Sequence, residues 1–199
     1  MGRARDLANI LSSSGNVALD SELGLSLITP SSIAVTGGSG SISSSGAVSF
    51  TSASAVSFNN VFSATYDSYL IQGKLVCSTD TPLYFRARLS GTDNSSANYK
   101  RACWYYTFQN PSVWNNYESS ADLAPSLPIG GVGSVNNFIQ LEVSSPFLTD
   151  ETVTRGQTSG NNHFFSHGVM SVTTSYDGCT IFTNSGTITG TLSVYGYRN

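Results

Sequence analysis

The chain has 199 residues, enough for one large or two small domains with a proper core. Only 11 % are charged, against roughly 25 % in ordinary soluble domains, and the net charge is −3. That balance excludes the electrostatic gathering of nucleic acid or of an anionic membrane surface, while ten Tyr, ten Phe and two Trp exclude a disordered polymer.

Ser, Thr, Asn and Gly stand where charges would otherwise solvate the surface, as suits a β-rich protein that packs against copies of itself or other proteins. Cys77, Cys103 and Cys179 are odd in number, far apart and set in apolar or aromatic runs. They read as buried small hydrophobes, not as a disulfide framework, zinc site or redox pair. Residues 1–20 hold no apolar core of signal-peptide length, and no run approaches the roughly 20 apolar residues that cross a membrane. Synthesis and assembly in a cytoplasm are expected, with no cofactor and no membrane or nucleic-acid partner.

In chain order, Ala4, Leu7, Ala8 and Leu11 fall at i, i+3, i+4 and i+7, one face of a short helix that Gly15 could stop. So short a helix is marginal alone in water and must dock on something. Val17 to Ile28 reads as an extended arm carrying a short strand. Residues 31–60 are rich in Ser and Gly, yet Val48, Phe50, Val56 and Phe58 keep one parity through a repeated Ala-Val-Ser-Phe. Flexible linkers lack such apolar punctuation. A thin stripe of this kind suits three chains wound about a shared axis, or an edge hairpin of the domain that follows; both readings stand on pattern alone.

From Tyr66 the pattern is regular. Tyr69, Ile71, Leu75 and Cys77 alternate with polar neighbours, as do Leu83, Phe85, Ala87 and Leu89, and then Ala102, Trp104, Tyr106 and Phe108. Residues 109–128, with three prolines and little periodicity, read as a long loop over the sheet. Ile139, Leu141 and Val143 resume a strand, 149–162 reads as a polar loop, and Phe164 to Val172 and Cys179 to Phe182 follow. The last run, Thr187 to Tyr197, places Ile188, Leu192 and Val194 on one side and Thr189, Thr191, Ser193, Tyr195 and Tyr197 on the other. Seven to nine strands with no convincing helix after residue 15 predict an all-β fold: an antiparallel, jelly-roll-like β-sandwich preceded by an extended N-terminal arm with one short helix.

Catalytic signatures are sparse. His163 and His167 share a strand face roughly 13 Å apart, too far to chelate one ion directly. No Gly-x-Ser-x-Gly elbow is present, and Gly37-Gly-Ser-Gly40 lacks the Lys of a phosphate loop. Glu118 with Asp122 or Glu142 is the obvious carboxylate pair for glycoside hydrolysis, but acidic residues mostly mark turns here. Trp104, Tyr105, Tyr106, Trp114, Tyr117, Tyr195 and Tyr197 could stack on sugar rings or pack within the fold, and Trp114 and Tyr117 are the residues expected to face a ligand.

Two stretches resemble a known group. Gly2-Arg-Ala-Arg-Asp-Leu-Ala-Asn-Ile-Leu-Ser12, followed by Gly15-Asn-Val, resembles the N-terminal attachment segment of tailed-bacteriophage structural and fibre proteins. Gly190-Thr-Leu-Ser-Val-Tyr-Gly-Tyr-Arg198, with Tyr66-Asp-Ser-Tyr-Leu-Ile71, resembles the β-domains of phage appendage and head-decoration proteins. The resemblance implies a non-enzymatic, homotrimeric virion protein that decorates or projects from the capsid. It divides the chain into an anchoring arm (1–30), a stalk or intersubunit β segment (31–60) and a β-sandwich (61–199). Arg3, Arg5, Leu7, Ile10 and Leu11 would anchor it to the major capsid protein or another virion protein. Val48, Phe50, Val56, Phe58, Tyr195 and Tyr197 would lie between subunits. The alternative is a tail fibre or adaptor that touches a host-surface glycan through the 109–128 loop, and, further off, a glycan hydrolase.

Overall fold

A computed structural model of the chain describes residues 24–107, 114–160 and 162–197, with side chains described there except at 105–124, 131, 132 and 162. The anchoring residues Arg3, Arg5, Leu7, Ile10 and Leu11, and their short helix, lie outside the described residues.

The fold is an antiparallel, jelly-roll-like β-sandwich of a large and a small sheet. With strands numbered in chain order, the large sheet runs β10 (Trp114–Ala124), β9 (Tyr99–Thr107), β14 (Asn162–Met170), β13 (Thr152–Ser159), β12 (Asn137–Ser144), β6 (Ser68–Cys77), β16 (Ile188–Tyr197), β4 (Val48–Ala53) and β3 (Ser39–Ile42). A further strand, β1 (Leu25–Ile28), pairs with the far half of β16. The small sheet runs β11 (Leu127–Val132), β7 (Thr81–Leu89), β15 (Gly178–Thr183), β5 (Ala55–Asn59) and β2 (Ser32–Thr36), with β8 (Thr92–Asp93) hairpinned onto β7.

Between the sheets lies one apolar core. Ile139, Leu141 and Val143 of β12, Leu83, Phe85 and Ala87 of β7, and Ile188, Leu192 and Val194 of β16 all point into it, as their alternation requires. The expected Leu89 does not; it is exposed where β7 runs past the sheet into its hairpin with β8. Cys77, Cys103 and Cys179 are buried free thiols, and burial pushes the Cys179 thiol up, away from the reactive thiolate.

The segment 31–60 forms four strands of the two sheets, so it is not a separate stalk. Val48, Phe50, Val56 and Phe58, expected between subunits, are at most 2 % exposed within one chain. The stripe is thin on each strand, but β4 and β5 enter different sheets and face each other across one core.

Two expected loops are strands. Residues 109–128 contribute β10, whose ladder with β9 slips between Asn116 and Glu118 and again between Ser120 and Ala124, which erases a period of two. They also contribute the start of β11, whose Pro128 is tolerated because β11 is an edge strand of the small sheet. Residues 149–162 contribute β13, whose inward residues are Thr152, Thr154, Gly156 and Thr158, buried without being apolar. These small residues let β11 settle closely on the large sheet. A Cβ added to Gly130 would stand 2.0 Å from the Thr158 methyl, and one added to Gly168 would stand 2.6 Å from both Leu127 methyls.

Because Phe58 is buried inside one chain, Phe58→Ala should destabilise the fold by about 3–5 kcal/mol. Urea denaturation should give that loss at every protein concentration; a loss that grew on dilution would return Phe58 to a subunit interface.

Candidate functional site

Residues paired across antiparallel strands share a face, so the registers assemble the outer surface of the large sheet row by row. One row reads Trp104, Phe165, Gln157, Gln140, Gln72 and Ser193 from β9 to β16. Beside it runs His167, Arg155, Glu142, Leu70 and Tyr195. On the other side runs His163, Ser159, Phe138, Lys74 and Thr191.

Trp104 therefore lies outside, 39 % exposed, and not in the core, where its alternation with Tyr106 and Phe108 had pointed. Tyr99 and Cys103 supply the inner face of β9 instead. The interior there combines Ser166, Gly168 and the β13 threonines beneath β11 with the buried Tyr99 and Phe164, and alternation turns Trp104 and Phe165 outward. Phe165 and Phe138 join Trp104 on that surface at 39 % and 40 % exposure.

The strands β12, β13 and β14 enclose a depression of about 370 Å³ lined by Gln140, Glu142, Arg155, Gly156, Gln157, Phe165 and His167. Gly156 faces inward and is buried, so it meets the floor of the depression with its backbone. Gln157 Nε2 donates to Gln140 Oε1 at 2.9 Å, which leaves the Gln140 amide N–H groups and the Gln157 carbonyl facing solvent side by side. Arg155 Nη2 donates to Glu142 Oε2 at 2.5 Å. The other Glu142 oxygen, Oε1, accepts from the Tyr197 hydroxyl at 3.2 Å, so the Tyr197 ring leans across β6. Leu70, the β6 residue in that row, is buried to 4 % on the outer side of the sheet. His167 meets the Trp104 ring edge to face, with centroids 6.0 Å apart. Loss of solvent, then the Glu142 charge, holds the Tyr197 phenol above its ordinary range.

An exposed aromatic face, paired amides and an internally neutralised ion pair form an open, polar site with flat apolar patches. That combination suits a pyranose ring, which presents C–H groups on one face and hydroxyls around its edge. Among the depression's lining residues Glu142 is the one carboxylate, already engaged with Arg155 and Tyr197. Among the described residues no group of His, Cys, Asp and Glu could hold a metal ion. A second charged cluster, at Arg88 on the small sheet, is saturated: its guanidinium pairs with Asp93 and donates to Ser57 Oγ at 2.9 Å and Thr180 Oγ1 at 3.0 Å.

Trp114 and Tyr117 lie on β10, at the edge of the large sheet, with side chains outside the described set, as are those of Glu118 and Asp122. Tyr195 and Tyr197 are half-buried on the outer face, Tyr197 by contact with its own chain. His163 and His167 share that face, and only His167 lines the depression. Gln140, Gln157, Arg155 and Phe165 escaped sequence reasoning. Their signal was the polar complement of inward alternation: each is flanked by residues that point inward.

No protein-family model matches the chain, and no curated protein matches it. Among solved structures it is similar to peanut lectin crystallised with a peptide, at 9 % identity over 86 % of this chain and 96 % of that one, TM-score 0.36. It is also similar to the Caenorhabditis elegans galectin LEC-6, at 11 % identity over 71 % and 96 %, TM-score 0.32. The enzymatically active domain of a bacteriophage CBA120 tailspike protein is 11 % identical over 90 % of this chain and 21 % of that one, TM-score 0.22. At these TM-scores the likenesses carry no functional argument.

Glu142→Gln removes one of the two main causes that raise the Tyr197 phenol, so its pKa should fall while staying above the ordinary value of about 10. A phenol raised in the folded state leaves stability intact below that value and weakens it as pH rises beyond; the variant should therefore lose less stability in alkali. Burial also raises Tyr69, Tyr99 and Tyr176, so the shift is read as the difference between the ultraviolet titrations of variant and wild type, and superimposable curves would contradict the contact. At neutral pH an ion pair this exposed should account for at most about 1 kcal/mol.

Proposed function

We propose that this protein is a non-catalytic, saccharide-binding β-sandwich subunit of a tailed-phage particle, which uses the outer face of its large sheet to touch a host-surface glycan. The observation that carries the reading is the depression itself: Phe165 offers a stacking face beside the Gln140–Gln157 amide pair and the compensated Arg155–Glu142 pair. The reading is binding without turnover: glycoside hydrolysis uses two carboxyl groups flanking the bond, and Glu142, the carboxylate among the described lining residues, is already engaged by Arg155 and Tyr197.

Membership of a virion rests on the resemblance of the opening and closing segments to phage structural proteins. A homotrimer fits that reading, since several shallow sites acting together hold far better than one. The exposed Leu25 and Leu27 on β1, next to Tyr195 and Tyr197, favour a second reading in which this edge packs on a capsid or a sister subunit and the protein decorates the head.

Purified protein applied to a printed array of neutral and acidic glycans should bind a saccharide, and Phe165→Ala should weaken that binding about tenfold. Absence of any saccharide binding, or binding indifferent to Phe165, would overturn the site. Immunolabelling of phage particles checks the virion assignment: label at the tail fits host contact, label over the head fits decoration, and unlabelled particles would remove both.

A further inference from the structure

We infer that the binding site extends beyond the depression as a groove across the strands, built for a linear, neutral oligosaccharide of several rings. The inference rests on the saccharide reading above and adds the length, direction and charge of the ligand.

The floor of this groove is the glutamine ladder. Gln157, Gln140 and Gln72 stand on three adjacent strands, β13, β12 and β6, in one continuous register, and Ser193 extends the row onto β16. Only Gln157 and Gln140 line the depression, so Gln72 and Ser193 carry the same hydroxyl-matching chemistry outward. At the other end, Phe165 and Trp104 are cross-strand neighbours on β14 and β9, both 39 % exposed. From β9 to β6 the row crosses four interstrand gaps, about 19 Å at the usual spacing of about 4.8 Å. That reach exceeds a single sugar ring several times over.

The rows on either side act as walls. On one, the Tyr197 ring leans across β6 to Glu142, and Leu70 is buried to 4 % in that row. On the other, Phe138 stands 40 % exposed two residues along β12 from Gln140. A chain laid along the ladder runs perpendicular to the strands, so it meets one amide per strand.

Charge decides the ligand class. Arg155, the cation of the depression, is matched by Glu142 at 2.5 Å, and the ladder residues are neutral, with Lys74 the exposed cation on the flanking row beside Gln72. An acidic sugar would have to compete with Glu142 for Arg155 and would find one strongly hydrated ammonium, Lys74, at the rim, whereas a neutral one needs only the amides and rings.

The test is a titration of the full-length protein with neutral glucan oligosaccharides graded in length from the monosaccharide upward, beside an acidic polyuronate series, in wild type, Gln72→Ala and Phe165→Ala. Affinity for the neutral series is expected to climb with length until the groove is filled. Gln72→Ala, outside the depression, should leave the shortest binder unchanged and weaken the longest about five- to tenfold. The polyuronates should bind more weakly than the neutral series. If short and long ligands bind alike, or Gln72→Ala has no effect on the longest, the groove is wrong while a Phe165-sensitive depression stands. If the polyuronates bind more tightly, neutrality is wrong. If no ligand binds, or Phe165→Ala changes nothing, both the groove and the underlying site fall. Circular dichroism and urea midpoints of each variant separate lost contacts from lost folding.

Discussion

The antiparallel ladder between β6 and β16 is the constraint on which the rest of this structure depends. It pairs nine consecutive residues, Ile188 through Gly196, with Cys77 through Tyr69. On its other edge β16 takes β4 along its first half and β1 along its second. The N-terminal strands β1, β3 and β4 thus reach the large sheet only through the last strand of the chain. Close approach holds this ladder together: a Cβ at Gly190 would lie 2.2 Å from the Lys74 carbonyl oxygen. The register also places Gln72 beside Ser193 and Leu70 beside Tyr195, which sets the outer face on which the candidate site is built.

A second consequence concerns the two halves of the sandwich. Around β6, β12 and β16 the interior is aliphatic and aromatic, and the sheets are held apart by full-sized side chains. Around β13 it is Thr and Gly, on β14 Ser166 and Gly168 lie between the buried Phe164 and Met170, and the small sheet's edge strand lies close against them. Trp104 and Phe165 stand on the surface because alternation turns them away from the buried Cys103, Phe164 and Ser166.

Where inward residues were apolar, the sequence was legible. The alternations of β6, β7, β12 and β16 predict their inner faces, and from those faces the antiparallel sandwich follows. The reading failed where burial and apolarity part company. In β13 threonines are inside, so a strand looked like a polar loop; in β9 the aromatic set Trp104 and Tyr106 looked like the inner face, while Tyr99 and Cys103 fill it. Val48, Phe50, Val56 and Phe58 misled in another way, since two sparse stripes on neighbouring segments meet across the sheets of one chain. The site was the least legible part. Its residues come from strands 9, 12, 13 and 14, and nothing in linear spacing brings Gln140 to Gln157 or Glu142 to Tyr197 before the register is known.

On the proposed function, saccharides lie on the outer face of the large sheet, against Trp104 and Phe165. The chain has two tryptophans, so Trp114→Phe leaves Trp104 as the sole indole reporter. Titrating that variant with a saccharide that the wild type binds should shift the Trp104 emission to shorter wavelength and shield it from iodide quenching. Undiminished binding with the Trp104 emission and its quenching unchanged would place the ligand elsewhere and contradict the account.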